Sequence, residues 1–394
     1  MSATVPAGSR HRPGLALLLI GSTLTVMAGA VLTPVVQLLI TERHLTATAA
    51  GLVVTVHGVS LALVAPVAGR LVDRHGVRRP LAAGLLLYGV AGGAGLVVDA
   101  YPVLIATRLV FGVGAALVFT GTTVGLLDRY TGAGRDRAMG WRSTAISLGG
   151  VAWPLVGGAL GVLSWQAPFA VYLLGVPLAL FALRLPDEPR LPDHPRPAAG
   201  PGRSALLANA PGLLPVYAAQ AAATLLLYAV LVFLPVRLAE LNVTNTAVVA
   251  IFTASLSLAM SAAGFGYAQL RARLTERVLL RYAFAAWTGA LLAMALVDIP
   301  VLLLAAPLLF GLGMGLAVPA LTVLTADHAP AGERGQATAL LATAGFTGQF
   351  ASPLLFGPLH AATSVRLTFL SAAVLAGVVA TALTLRRDAR RGVS

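Results

Sequence analysis

Twelve apolar runs separated by short polar breaks account for most of the chain. They cover roughly residues 14–40, 47–70, 80–98, 102–127, 141–163, 166–184, 212–236, 246–269, 279–297, 301–325, 336–360 and 365–385. Each is about 20 residues or longer, enough for a helix to cross a hydrocarbon core of about 30 Å. A spanning segment must satisfy its own backbone, so a long unbroken apolar run reads as a helix. The pattern predicts an all-α membrane protein with twelve transmembrane helices. The first run follows Arg10 and Arg12. It exceeds the roughly 7–15 residues of a signal-peptide core, so it reads as a retained span.

The longest polar stretch, residues 185–210, carries Pro186, Pro189, Pro192, Pro195, Pro197 and Pro201 with Asp187, Glu188 and Asp193. Such proline density favours an extended linker. It divides the chain into a six-helix half over 1–184, a linker over 185–210 and a second six-helix half over 211–394. The halves repeat one another at an offset of 199 residues: Phe111 with Phe310, Gly112 with Gly311, Gly114 with Gly313, Asp128 with Asp327, Arg135 with Arg334, Gly149 with Gly348, Pro154 with Pro353 and Gly158 with Gly357. Parallel six-helix repeats about a central site are a transporter plan, here with pseudo-symmetric halves.

Charge sets the orientation. Of 27 basic residues, all arginine, 23 fall in alternate breaks and termini. Only Arg43, Arg237 and Arg366 lie on the other side, and Arg108 is left inside a run. Cytoplasmic segments are the arginine-rich ones, so both termini are expected in the cytoplasm. The net charge of +13 thus reports topology and contact with anionic lipid, not nucleic acid. With 58% hydrophobic and 10% charged residues, the chain cannot cover a soluble surface. It has no cysteine and no lysine, which excludes disulfides, thiolate chemistry, a P-loop and a Schiff base. The Ala, Gly and Arg bias suggests a bacterial plasma membrane protein. No cofactor or metal site is called for, and no constellation of catalytic groups lies at membrane depth, so an enzyme is not expected.

The turn between runs two and three reads GRLVDRHGVRR, residues 69–79. Gly69 allows close helix approach, and Gly76 suits a tight turn with φ > 0. Asp73 has Arg74, Arg78 and the positive start of run eleven as natural partners. Asp128, at the end of run four, offers a second acceptor. Together with Arg79 these residues resemble the signature of the major facilitator superfamily, with Val77 at a position usually basic. The resemblance covers the whole chain and implies a gate that locks the two halves at the cytoplasmic face. The alternative is that these charges only set topology.

Run five carries Gly140, Gly149, Pro154, Gly157 and Gly158 at the spacing of the drug/proton antiporter branch of that family, with Trp153 in place of a glycine. Trp153 prevents close packing there and lines the cavity instead; the alternative for the glycines is ordinary helix packing. Arg108 sits at membrane depth, where charge is expensive. The resemblance implies that it handles substrate or protons; the alternative is that it snorkels to the outer surface. Histidine is the side chain whose ordinary pKa lies near neutral, so His57 is a candidate proton site, or else a neutral packing histidine. Gln37, Tyr217, Gln220, Tyr228 and Gln349 are cavity candidates, as are Thr120 and Ser352, although such groups also bond between helices. No carboxylate lies deep in a run, which favours a neutral or anionic amphipathic substrate.

These features predict a secondary transporter that exports a small amphipathic compound in exchange for protons, with lipid as its surroundings. The resemblance implies a monomer. The alternatives are coupled uptake of a sugar or small metabolite, and a non-transporting membrane sensor or scaffold.

Overall fold

A computed structural model describes residues 12–184, 210–330 and 333–391. The linker expected over 185–210 lies, apart from Ala210, outside the described residues. Those residues are helical, without a strand. Run one folds as α1 (Arg12–Ala30), a 3-10 turn at Thr33–Val35 and α2 (Val36–Arg43). Run two is α3 (Ala47–Thr55) and α4 (His57–His75). Runs three to six give α5 (Arg78–Gly93), α6 (Tyr101–Arg129), α7 (Gly132–Gly161) and α8 (Gly175–Leu183). Runs seven to nine give α9 (Leu213–Glu240), α10 (Thr246–Arg271) and α11 (Glu276–Leu296). The last three are α12 (Pro300–Leu303) with α13 (Ala305–His328), then α14 (Arg334–Ala362) and α15 (Val365–Arg391).

Ten helical segments among the described residues are long and apolar enough to cross a membrane. Runs three and six fall short of that length. α5 gives way to a 3-10 turn at Ala94–Leu96, and a 3-10 stretch at Ala167–Leu174 precedes α8. These segments pack on each other at very short range: Gly89 against Val176, Gly92 against Tyr172 and Gly95 against Phe169. Glycine costs a helix roughly 1 kcal/mol relative to alanine. Here it buys close approach in exchange for regular helix.

The 199-residue repeat is visible in the packing. Thr46 and Asn245, 199 apart, cap α3 and α10 by accepting from Ala49 N (3.2 Å) and Ala247 N (2.9 Å). Gly112 of α6 lies on the His57 carbonyl, and Gly311 of α13 lies on that of Leu256, again 199 apart. Gly114 meets Gly84 and Tyr88 of α5; Gly313 meets Ala283 and Trp287 of α11.

The helices before residue 184 meet those after residue 210 along two seams. In one, α7 packs on α10; in the other, α14 packs on α3 and α4. The seams are repeats of one another. Gly158 abuts Thr246 and Ala250, while Gly357 abuts Thr48 and Pro353 abuts Gly51. All these contacts lie between mid-helix and the arginine-poor end. At the arginine-rich end a side chain added at Gly69, Gly140 or Gly335 would meet nothing. Arg70, Asp73, Arg74 and Arg334 are exposed there. The bundle is shut at one end and parted at the other.

Candidate functional site

Two helices are interrupted near the shut end, and the interruptions organise the site. α1 stops before the turn at Thr33–Val35, where Leu32 N turns to Gly29 O at 3.2 Å. The second break falls at Val56, where Val59 N turns to Val56 O at 3.0 Å. In hydrocarbon a freed carbonyl needs another donor. Arg108 of α6 supplies it to both breaks. Its Nη2 donates to Ala28 O at 2.7 Å and its Nε to Val53 O at 3.0 Å. The guanidinium is fully buried, 4.1 Å from the centre of the Phe111 ring and 5.1 Å from that of Tyr172. Tyr172 donates to the same Ala28 carbonyl at 2.9 Å, and Tyr88 donates to Leu24 O at 2.6 Å. Arg108 therefore does not snorkel: it presents no surface, and it pins two broken helices in place.

His57 begins the helix after the second break. It is buried with its ring edge-on to Phe111 at 5.6 Å. Gln349 crosses to it from α14. The Gln349 amide Nε2 donates to Thr55 O at 3.3 Å and lies 3.5 Å from His57 Nε2. Gly58 makes room for this amide. Ser352, one turn along α14, is also fully buried. The two carbonyls of the broken turn, Val53 and Thr55, are thus held from opposite sides of a seam.

The other candidates lie along α9 and in α2. Tyr217 is buried and donates to Ala337 O of α14 at 3.0 Å, and Gln220 lies against Gly345 of the same helix. The Tyr228 hydroxyl reaches Gly29 across the bundle. Gln37, in α2, is half-buried at the arginine-poor end with its Oε1 shielded from solvent. Tyr217, Gln220 and Tyr228 of α9 each face a neighbouring helix. Thr120, in α6, is half-buried.

The half-buried Trp153 indole donates to Thr23 O of α1 at 3.1 Å and lies along Gly149, so it braces α1. Gly157 lies on the Val31 backbone at the first helix break, Gly158 belongs to the α7–α10 seam, and Pro154 is buried within α7. Gly140 stands at the parted end with nothing near it.

The charged turn is also at the parted end. Gly76 has φ +73°, as a tight turn after α4 requires. Asp73, Arg74 and Arg79 are exposed, whereas Arg78 and Asp128 are half-buried and each has an interaction partner. Among the described residues Asp73 makes no ion pair with the start of α14, and both ends are exposed in this conformation.

Sequence reasoning missed a second arginine cluster. Arg237, only 1% exposed, donates from Nε to Met294 O, from Nη1 to Glu240 and from Nη2 to Val297 O and Asp298. Arg366 joins Asp298 at 2.6 Å. The Arg237 hydrogen bond holds the Asp298 carboxyl below its ordinary range, with Arg366 adding to the effect. In the first repeat, Arg43 clasps Asp99 through the backbone carbonyl (2.5 Å) and the carboxylate (3.7 Å). Asp99 and Asp298 are 199 apart, so the offset itself was the available signal.

Known proteins resemble this chain in sequence and in fold. Residues 18–266 and 216–393 match the model of the Major Facilitator Superfamily. Multidrug resistance protein 1 of Bacillus subtilis is 32% identical over 181 residues, 44% of this chain and 46% of that protein. The quinolone resistance protein NorA of Staphylococcus aureus is 26% identical over 158 residues, 40% of this chain and 41% of NorA. The chain thus spans less than half the length of these curated relatives. Among solved structures, a bacterial homologue of the human lysosomal transporter Spinster superimposes with a TM-score of 0.81 at 16% identity, covering 96% of this chain and 97% of its own. The nucleoside transporter NupG gives 0.78 at 15% identity, covering 94% and 99%.

Proposed function

The chain belongs to the Major Facilitator Superfamily, and on that premise we propose that it exports a small amphipathic compound by alternating access in exchange for protons. Membership makes it a transporter and not an enzyme. The finer reading adds direction, coupling and topology. The two shorter segments, α5 with its 3-10 turn and α8 with its 3-10 stretch, complete twelve crossings in two six-helix halves. The arginine-rich end faces the cytoplasm of a bacterial cell. The conformation is then inward-facing, and the protein works as a monomer.

The observation that carries the reading is the pair of repeated seams, shut at one end of a bundle parted at the other. Rocking about such seams exposes a central site to each side in turn. The drug-resistance relatives support export, and the spacing of Gly140, Gly149, Pro154, Gly157 and Gly158 supports it independently. In the opposite state the seams part and the charged turn, with Asp73 and Asp128, closes the cytoplasmic end.

His57 and Gln349 supply the coupling. Closure sets the Gln349 N–H toward His57 Nε2, a nitrogen that must then be an acceptor. A ring protonated at both nitrogens would oppose this donor. Turning the amide over would place Oε1 against the Thr55 carbonyl. The shut seam therefore holds His57 neutral, and the parted seam admits a proton. Arg108 positions both broken helices around this pair.

Inverted membrane vesicles with an acidified interior and a pH-sensitive dye test the proposal. A panel of neutral, anionic and cationic antibiotics is added in turn. Collapse of the gradient by a neutral or anionic compound, absent in His57→Gln and Arg108→Ala, is the expected result. Strong export of ethidium would contradict the substrate class. Silence across the panel, with folded protein present, would overturn export.

A further inference from the structure

Apart from the seams, a crevice of about 840 Å³ opens between the starts of α9 and α11 and the ends of α13 and α15. All four termini lie at the arginine-rich end, where the helices leave the hydrocarbon. Its walls are apolar, with Leu214, Leu280, Leu324 and Leu383, and its polar side chains are Arg277 and His328. Leu214 is 62% exposed, so the apolar wall opens outward. His328 Nδ1 bonds the Leu324 carbonyl at 2.8 Å, which turns Nε2 away from that bond. Arg281 Nε donates to Leu383 O at 3.0 Å and ties α11 to α15 at the rim.

Among the described residues, no acidic side chain is paired with the arginine of this rim. Glu276 is buried and paired with Arg271, whereas Asp327 is exposed on the turn before His328. Arg277 makes no ion pair among the described residues and is exposed. A cation over a leucine-walled slot at headgroup depth matches a phosphodiester above an acyl chain. The equivalent place in the first repeat is filled differently. The position 199 before Leu324 is Gly125, and Leu18 and Val77 close upon it.

We propose that this crevice is a binding site for one acidic phospholipid of the arginine-side leaflet, with its phosphate on Arg277 and an acyl chain along Leu214, Leu280 and Leu324. The site rests on the chain crossing a bilayer and is independent of export. Intact protein in detergent, titrated separately with phosphatidylglycerol and phosphatidylcholine, is read by native mass spectrometry. One phosphatidylglycerol should bind in preference to phosphatidylcholine. Arg277→Ala should weaken it roughly tenfold or more, the value of one charge-assisted phosphate contact. Leu280→Trp, which fills the slot, should abolish it. Arg273→Ala makes the same charge change outside the slot and should leave binding intact; size-exclusion profiles confirm that each variant folds. Equal retention of the two lipids, or equal loss in Arg277→Ala and Arg273→Ala, would overturn the proposal. So would loss of transport in Leu280→Trp with phosphatidylglycerol still bound, since the slot would then serve the transported compound.

Discussion

The two seams share a register but not a chemistry. At the arginine-poor end they are near copies: Gly158 on Thr246 in one, Gly357 on Thr48 in the other. Midway they diverge. The α7–α10 seam places Gly150 against Ser257, and the α14–α4 seam places Gln349 against Gly58. The positions are equivalent, since 150 pairs with 349 and 58 with 257 at the same offset. One seam has a glycine where the other has an amide that reaches a helix break and an imidazole. Parting the α7–α10 seam breaks the Thr246 Oγ1 hydrogen bond to Gly158 O at 2.7 Å, whereas parting the other also takes the Gln349 amide off a helix break. The difference is one of chemistry midway along the seams, not of register.

Breaking the shared part should have the largest effect. A Cβ on Gly158 would overlap Thr246 and Ala250, and one on Gly357 would overlap Thr48. Gly158→Leu and Gly357→Leu should each lower vesicle transport by roughly 10- to 100-fold, as expected for forced overpacking. Full transport in one of them would show that the seams do not work as a pair.

Next comes the support behind the polar seam. Arg108→Leu leaves Ala28 O and Val53 O without their guanidinium donors. It should lower stability by roughly 2–5 kcal/mol, the value of two charge-assisted bonds in a buried site. Arg108→Lys should not rescue it, because a point charge cannot reproduce a rigid fork. Thermal unfolding in detergent measures both.

Gln349→Leu keeps the volume but removes the donor, at a cost to the shut state of about 1 kcal/mol per hydrogen bond. Spin labels on cysteines introduced across the arginine-poor end should report more of the parted state. The natural chain adds no background label, having no cysteine. Ser257→Ala on the other seam should leave the distances unchanged. An equal response to both changes would erase the distinction drawn here.

The smallest effect concerns the outer clasps. Asp298 has its carboxyl held below the ordinary range, chiefly by the Arg237 hydrogen bond. A lowered folded value gives stabilisation that is complete above the ordinary carboxylate range and is lost as pH falls through the folded value. The melting difference between the natural chain and Asp298→Asn should hold steady from neutral pH down to that range and close only in stronger acid. A difference that closes near pH 6 would point to a histidine instead.

Much of this was legible in the sequence because membranes impose long apolar runs and short charged turns. The positions of the runs and the tight turn at Gly76 follow from length and charge, and the repeat from matched residues at one offset. The site was less legible. Arg108 was conspicuous as a charge at depth, yet its partners are the backbone carbonyls Ala28 and Val53, which carry no signature in the residue string. The breaks that free them fall beside Thr33–Pro34 in one case and at an unremarkable valine, Val56, in the other. The bond from Trp153 to the Thr23 carbonyl was not legible, because no pattern tells which neighbour an indole will find. Arg237 was counted as a surface charge because its burial depends on the carbonyls of Met294 and Val297, both distant in sequence.

Where the helices press together at Gly158 and Gly357, both copies carry the same residue, and neither could gain a side chain without prising the helices apart. Midway, where Gly150 and Gln349 stand at equivalent positions, the copies differ, and the amide of one reaches a backbone carbonyl that the glycine of the other cannot.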